Sequence, residues 1–389
     1  MTPHTGAHLR KLAEGLHVWL PRRRGWGLAN CGLVVGDDTA LWIDTPYDRR
    51  LAGRFLAASR ELLPPGVAID RVVVTHGNGD HFWGAGVVPN AEVIAAKESL
   101  EQAEAEPDPR MLHAFVRGTV PEQPSPSPPS RPVHSTPPRP TPPRSAGVEP
   151  ARPVTTDAAE APYAPYAPEA AADRRAEALL SSYMRRHFGA FDWADTERVR
   201  PTLLFRGELE LSVGGRPVRV VGLPPAHTTG DLFVHLPDRS TVFAGDVVFG
   251  STPAQPGDHA VHWAGPLSAV SAVCERILAT GAETIVPGHG PILGRSGVRA
   301  HLDYLHHLRE RAEEFHARGV PALEAARRVI AERRHPELGL PERLVVTMRT
   351  EYRHLSPAPR PGVLEVMAEV ARLAAECEGT GDPASSPAG

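Results

Sequence analysis

Four apolar runs of this chain end in the same way, and that repetition limits the architectures open to it. RVVVT runs into His76, VRVVGLPPA into His227, TVFAG into Asp246 and ETIVPG into His289. Each run has the length and β-branched content of a strand. Each then gives way to a loop rich in Gly or Pro, with a side chain able to bind metal at its mouth. Strands of one sandwich that end at a common edge bring such side chains together, and loops on strand ends are where a rigid scaffold carries chemistry. The first run continues as THGNGDH, in which His76, Asp80 and His81 have the spacing of a loop serving two metal ions. Asn78 stands where another histidine is expected.

THGNGDH, the isolated His227 in PPAHTTGD, Asp246 in FAGDVVF and His289 in VPGHGP resemble, in that order, the successive motifs of the metallo-β-lactamase superfamily. The resemblance spans residues 15 to 295, apart from a proline-rich insertion. One such motif alone is weak; four in order are specific. The resemblance implies an α/β fold, an αββα sandwich with its metal site at one edge of the two sheets. It also implies that His76 and His227 bind a first metal, that Asp80, His81 and His289 bind a second, and that Asp246 bridges them. Asp80 is in addition the candidate catalytic carboxylate.

The residue chemistry agrees with that reading. Imidazole nitrogens and carboxylate oxygens suit Zn2+, with Fe or Mn as borderline alternatives. Such ions lower the pKa of bound water to ~7 and polarise a carbonyl. A carboxamide oxygen is a weaker donor than imidazole, so Asn78 predicts a full second site and a weaker first one. The expected activity is that of a metallo-hydrolase acting on a thioester, ester or lactone. The Asn-containing motif is similar to that of thioesterase/cyclase members of aromatic polyketide pathways, which gives an alternative reading. A third is a non-catalytic interaction module.

Sixteen of the chain's 42 prolines fall within residues 121–170. Proline lacks the amide donor and restrains its predecessor, so this text sustains neither helix nor sheet ladder. Residues 107–172 are therefore expected to be a disordered insertion within a domain of residues 1–296, since ligands lie on both sides of it. Strands are expected at LHVWL, CGLVV, ALWI, AEVIAA, LLFRGELELSV, RPVRVVGL and DLFVHL, and helices near 48–62, 173–188 and 267–280. A helical region should follow over 297–377, and residues 378–389 read as a frayed tail. Within it, Leu302, Leu305 and Leu308, and Val363, Met367, Val370 and Leu373, have helical spacing.

Composition narrows the partners. A formal charge of −4 and a pI near 6.6 give no electrostatic case for nucleic acid or an anionic membrane. A small-molecule or carrier-bound substrate is expected instead. Three scattered cysteines argue against a disulfide framework, and the absence of an apolar leader or an ~18-residue apolar run predicts a cytoplasmic location. Trp83, His262 and Trp263 are candidate pocket residues, with ordinary loop packing as the competing reading. His259 and His262 read more readily as exposed loop histidines than as proton donors, and His301, His306 and His307 as a solvated helix face.

Overall fold

The computed structural model describes residues 8–118 and 172–379. One sheet has seven strands in chain order: β1 (His8–Ala13), β2 (Leu16–Leu20), β3 (Cys31–Val35), β4 (Ala40–Ile43), β5 (Ile69–Val73), β6 (Glu92–Ala96) and β7 (Leu203–Phe205). Pairing is antiparallel from β1 to β4 and parallel from β4 to β7. The second sheet holds β8 (Glu208–Val213), β9 (Arg216–Gly222), β10 (Leu232–Leu236), β11 (Thr241–Phe249) and β12 (Thr284–His289). Its order is β12-β11-β10-β9-β8, with only β11 and β12 parallel.

The side-chain period of two explains how these strands make a sandwich. In β4, Leu41 and Ile43 point into the core between the sheets, with Val73, Ile94, Val220, Val234 and Phe243. Ala40 and Trp42 point the other way, into a second core beneath the helices. A strand buried on both faces reads as an unbroken apolar run, which is what ALWI is. Trp42 stacks on Phe55 at 4.3 Å and donates its indole N–H to Ser59. Both partners lie on α1 (Arg49–Arg60), whose first turn is capped by Asp48 accepting from Leu51 N at 2.6 Å. The short α2 (Gly79–Phe82), then α3 (Ser99–Ala105), α4 (Pro109–Arg117) and α5 (Ala172–Phe188) complete the first half. The other outer face carries α6 (Leu267–Ala279) and α7 (Arg295–Ala317), followed by α8 (Ala322–Glu332), α9 (Leu344–Leu355) and α10 (Val363–Gly379).

Three expectations need correction. LLFRGELELSV is not one strand: β7 ends the first sheet, Gly207 takes a positive φ of 75°, and β8 opens the second sheet. Residues 107–118 do not belong to an unstructured insertion, because Asp108 caps α4 and Leu112 is buried in the core. The proline-rich stretch beyond residue 118 lies outside the described residues, as does the end of the expected tail, whose first residues 378 and 379 close α10. The third correction concerns histidine burial. His301 and His307 lie on the inner side of α7 and His259 and His262 are enclosed, so neither group is solvated; His306 is exposed. The apolar faces of α7 and α10 join the outer core. Among the described residues, no helix is long and apolar enough to cross a membrane.

Candidate metal centre

The strand ends deliver their side chains to one edge. His76 follows β5, Asp80 and His81 sit on α2, and His227 lies in the loop between β9 and β10. Asp246 projects from β11 beside a register shift at Gly245, and His289 ends β12. Gly245 has φ +54°, and a Cβ there would lie 2.8 Å from Thr75 Oγ1, so β11 approaches the His76 loop at a distance only glycine allows. Gly288 is tighter: a Cβ would fall 1.8 Å from Asp246 Oδ1. These two glycines make room for the cluster.

Two sets of donors result. His76, His227 and Asp246 have ligand atoms within 4.8 Å of one another, and so do Asp80, His81 and His289. Asp246 touches both: its Oδ1 lies 3.1 Å from His81 Nε2, and its Oδ2 lies 3.1 Å from His289 Nε2 and 3.6 Å from His227 Nε2. Asp80 Oδ2 is 3.4 Å from His289 Nε2, and the Nε2 atoms of His81 and His289 face each other at 3.4 Å.

Each histidine is oriented by its other nitrogen. Nδ1 of His227 meets Val261 O at 2.6 Å and that of His289 meets Leu28 O at 3.1 Å; both must donate, because a carbonyl only accepts. His81 Nδ1 reaches Asp44 Oδ2 at 2.8 Å. Asp44 also accepts from Thr75 N at 2.7 Å and Thr75 Oγ1 at 2.8 Å, and Thr75 Oγ1 in turn meets His76 Nδ1 at 3.0 Å. Nε2 of all four rings is thereby aimed at the cluster, the usual support for a metal-binding histidine. Asp44 holds a left-handed φ of 59°, a conformation sustained here by these contacts. Sequence reasoning missed it, although ALWI runs into Asp44 just as the other four strands run into their candidate ligands.

Asn78 departs from the pattern in a specific way. Its amide nitrogen donates to Glu106 Oε1, which also accepts from Gln102 Nε2 at 3.1 Å. The amide oxygen is thus forced inward, 2.9 Å from His227 Nε2. Since Nδ1 of His227 carries the proton, that contact sets two acceptors face to face. His76 Nε2 is likewise buried without a hydrogen-bond partner among the described residues. Inward-facing lone pairs with no donor between them are the arrangement that a cation resolves, so the residues present fit a metal ion. Glu106, immediately before the segment expected to be disordered, is the other residue missed from sequence.

The two sets differ electrostatically. Burial drives the pKa of His76 well below the ordinary histidine value and lowers that of His227. Burial acts in the same sense on His81 and His289, but the carboxylates outweigh it: Asp246, Asp44 and Asp80 raise His81, and Asp246 and Asp80 raise His289 to about 9. Burial opposes ionisation of Asp246 and Asp80, yet His289 and His81 hold both carboxyls below their usual range. Burial, reinforced by Asp80, pushes Glu106 up to about 7.

Beside the cluster lies an apolar cavity of about 90 Å³, lined by Tyr47, Leu112, Met184, Phe249, Trp263 and Met367 together with Asp80, His227, Asp246 and His289. Trp263 is therefore at the pocket. Trp83 and His262 are not among its lining residues: Trp83 is buried against Tyr47 at 5.1 Å, and His262 is enclosed between Phe249 and His227. Arg343, which does line the pocket, packs its guanidinium 4.1 Å from the centre of the Trp26 ring.

The family model for the metallo-β-lactamase superfamily matches residues 24–289. Among solved structures, a sec-alkylsulfatase from Pseudomonas sp., described as stereoselective and inverting, is similar with TM-score 0.54 and 16% identity, over 97% of this chain and 57% of its own. A metallo-β-lactamase from Pontibacter korlensis matches with TM-score 0.47 and 14% identity, over 77% of this chain and 99% of its own. Comparison with curated protein sequences returned no match.

Proposed function

Because the chain belongs to the metallo-β-lactamase superfamily, we propose that its cluster is the metal centre of a hydrolase acting on an activated carbonyl: a thioester, ester or lactone. The observation that carries this reading is the inward convergence of unprotonated donors, with His76 Nε2 orphaned and His227 Nε2 facing Asn78 Oδ1 at 2.9 Å. A buried arrangement of this kind has no evident role in an interaction module. Zn2+ is the ion that the histidine-rich donor set suits best, with Fe or Mn as alternatives. His76, His227 and Asp246 would hold one ion and Asp80, His81 and His289 the other, with Asp246 serving both and Asn78 offering a neutral oxygen to the first.

A bound ion supplies hydroxide at neutral pH and polarises the carbonyl under attack. The rest falls to the chain. Asp44, Val261 and Leu28 fix the imidazole tautomers. Asp80, more open than Asp246 with 15% against 6% of its side chain exposed, is the carboxylate placed to take a proton from the attacking water and pass it to the leaving group. Tyr47, Phe249, Trp263 and Met367 exclude water and receive an apolar acyl group. The same apolar walls favour a second reading, cyclisation or release of an aromatic polyketide held on a carrier. Cys31, Cys274 and Cys377 are buried and form no disulfide among the described residues, which suits a reducing, cytoplasmic compartment.

The test is elemental analysis of the purified protein, followed by a panel of thioesters, lactones and β-lactams before and after chelation. The reading predicts a stoichiometric transition metal, hydrolysis of at least one activated acyl substrate, loss of activity on chelation and recovery on adding metal back. Protein that takes up no transition metal on reconstitution would sink it.

A further inference from the structure

A second and larger cavity is also lined by His289. It encloses about 640 Å³ and shares Phe249 and His289 with the apolar pocket, so the two meet at the candidate metal centre. The loop after β2 forms the wall between them: Arg24, Gly25 and Leu28 line the large groove, while Trp26 and Gly27 line the pocket. The two chambers are chemically opposite. The groove carries Arg10, Arg22, Arg23 and Arg24 against a single acidic side chain, Asp258.

Asp258 is already engaged, 3.5 Å from Arg24 Nε and 3.9 Å from Arg343 Nη1. Arg24 is engaged as well, donating to the carbonyls of Pro256, Gly257 and Glu337 at 3.3, 2.8 and 3.3 Å. Arg10, Arg22 and Arg23 are exposed and make no ion pair or side-chain hydrogen bond among the described residues. Three free guanidinium groups in one groove of a chain whose net charge is −4 form a local reversal of sign. Guanidinium is the side chain best matched to phosphate, through paired N–H donors. The groove's volume is of the size that accommodates small ligands, which is about 300–1,000 Å³.

We infer that the substrate is bipartite: an apolar acyl group in the pocket, joined through the scissile bond at His289 to a leaving group that ends in a phosphate seated on Arg10, Arg22 and Arg23. This rests on the hydrolase reading and adds the chemistry of the leaving group to it. In the reaction, the water oxygen becomes bonded to the carbonyl carbon, the carbon–sulfur or carbon–oxygen bond breaks, the departing atom takes one water proton, and the other is released to solvent as the acid ionises. A carboxylate leaves from the apolar side and a phosphorylated thiol or alcohol from the basic side.

The experiment compares two thioesters of 2-naphthoic acid, one with 6-mercaptohexanol and one with its phosphate monoester. Wild type should show a kcat/KM about tenfold higher for the phosphorylated thioester at low salt, expressed mainly in KM and shrinking in 0.5 M NaCl. In Arg22→Glu/Arg23→Glu the ratio between the two substrates should fall to about one, as expected when like charge replaces the steering groups. Equal kcat/KM values in wild type, or a preference that survives in the variant, would overturn the inference. The phosphorylated thioether, which cannot be hydrolysed, separates this from the parent reading. If it binds wild type and not the variant while neither thioester is turned over, the groove stands and the hydrolase reading falls. If it binds both proteins equally, the groove assignment falls whatever the turnover.

Discussion

The donors around His81 and those around His76 stand side by side at one sheet edge, yet their histidines are held in opposite states. Asp246 and Asp80 raise both His81 and His289 above the usual range, and Asp44 adds to the effect on His81. His76 and His227 are pushed the other way by burial, and the fourth group facing them is the neutral oxygen of Asn78. One set gathers negative charge in which a divalent ion can replace protons; the other offers neutral donors and a share of Asp246. Metal affinity follows ligand charge and donor strength, so the difference teaches that the two sites of such a centre can be tuned separately. On the proposed reading, exchanging one side chain would weaken one site while its neighbour keeps a complete set.

The strongest way to break this comparison is to cut into the charged set. Asp80→Ala and His289→Ala should each remove most of the bound metal and essentially all hydrolysis, measured by elemental analysis and by turnover of an activated acyl substrate. Loss of activity with full metal content would show that these residues serve catalysis alone. A smaller effect is expected at Glu106. Its hydrogen bond turns the Asn78 oxygen inward, so Glu106→Ala frees the amide to rotate and should weaken metal at the His76 set about tenfold or more. Glu106→Gln, whose own amide can still offer an oxygen to Asn78, should recover part of it. Competition with a chromophoric chelator reads both; identical titrations for wild type and Glu106→Ala would remove Glu106 from the account.

Asn78→His should move in the opposite direction and bring metal stoichiometry toward two per chain. Its effect on turnover has two possible signs, because the added imidazole also narrows the approach to the carbonyl. The smallest predicted effect is a response to acid that reaches the His76 set first. His227 hangs from Val261 O, in a loop that also carries His259, and Ala260 O accepts from Thr347. Burial lowers His259 to about 3 and His301 to about 4. Both folded values lie below the ordinary histidine value of 6.5, so the stability these neutral rings permit is complete above pH 6.5 and lost as pH falls toward 4. Charging one such ring costs about 2 kcal/mol by pH 5. The melting temperature should therefore fall between pH 7 and pH 5, and metal should leave the His76 set first; a flat profile would mean that these rings reach water.

How much of this was legible in the sequence depended on whether the signal was local. Four strand ends announced themselves because an apolar run, a Gly or Pro loop and a histidine or aspartate occur within ten residues. The sandwich followed from the family resemblance that these motifs carry. Asp44 ends a fifth strand in the same manner but reads as an ordinary turn residue, since its partner His81 lies 37 positions away. Glu106 was hidden because it borders a proline-rich stretch and its contact with Asn78 exists only once α3 has folded back. The burial of His259, His262, His301 and His307 was illegible for a related reason. Polar residues among charged neighbours look solvated until long-range packing encloses them, and here α7 and α9 supply that packing. The split between β7 and β8 rests on one glycine in a left-handed conformation, within a run that otherwise reads as continuous strand.

The central claim is that the two donor sets differ in strength and that the set around His81 is the stronger. Zinc titration of the metal-free protein, monitored by competition with a chelator of known affinity, tests it most directly when wild type, His76→Ala, Asp80→Ala and Asn78→His are run together. The account predicts one tight and one weak ion in wild type, and retention of the tight ion in His76→Ala. It predicts loss of the tight ion in Asp80→Ala and two tight ions in Asn78→His. Two equally tight ions in wild type, or a tight ion that survives Asp80→Ala and disappears in His76→Ala, would contradict it.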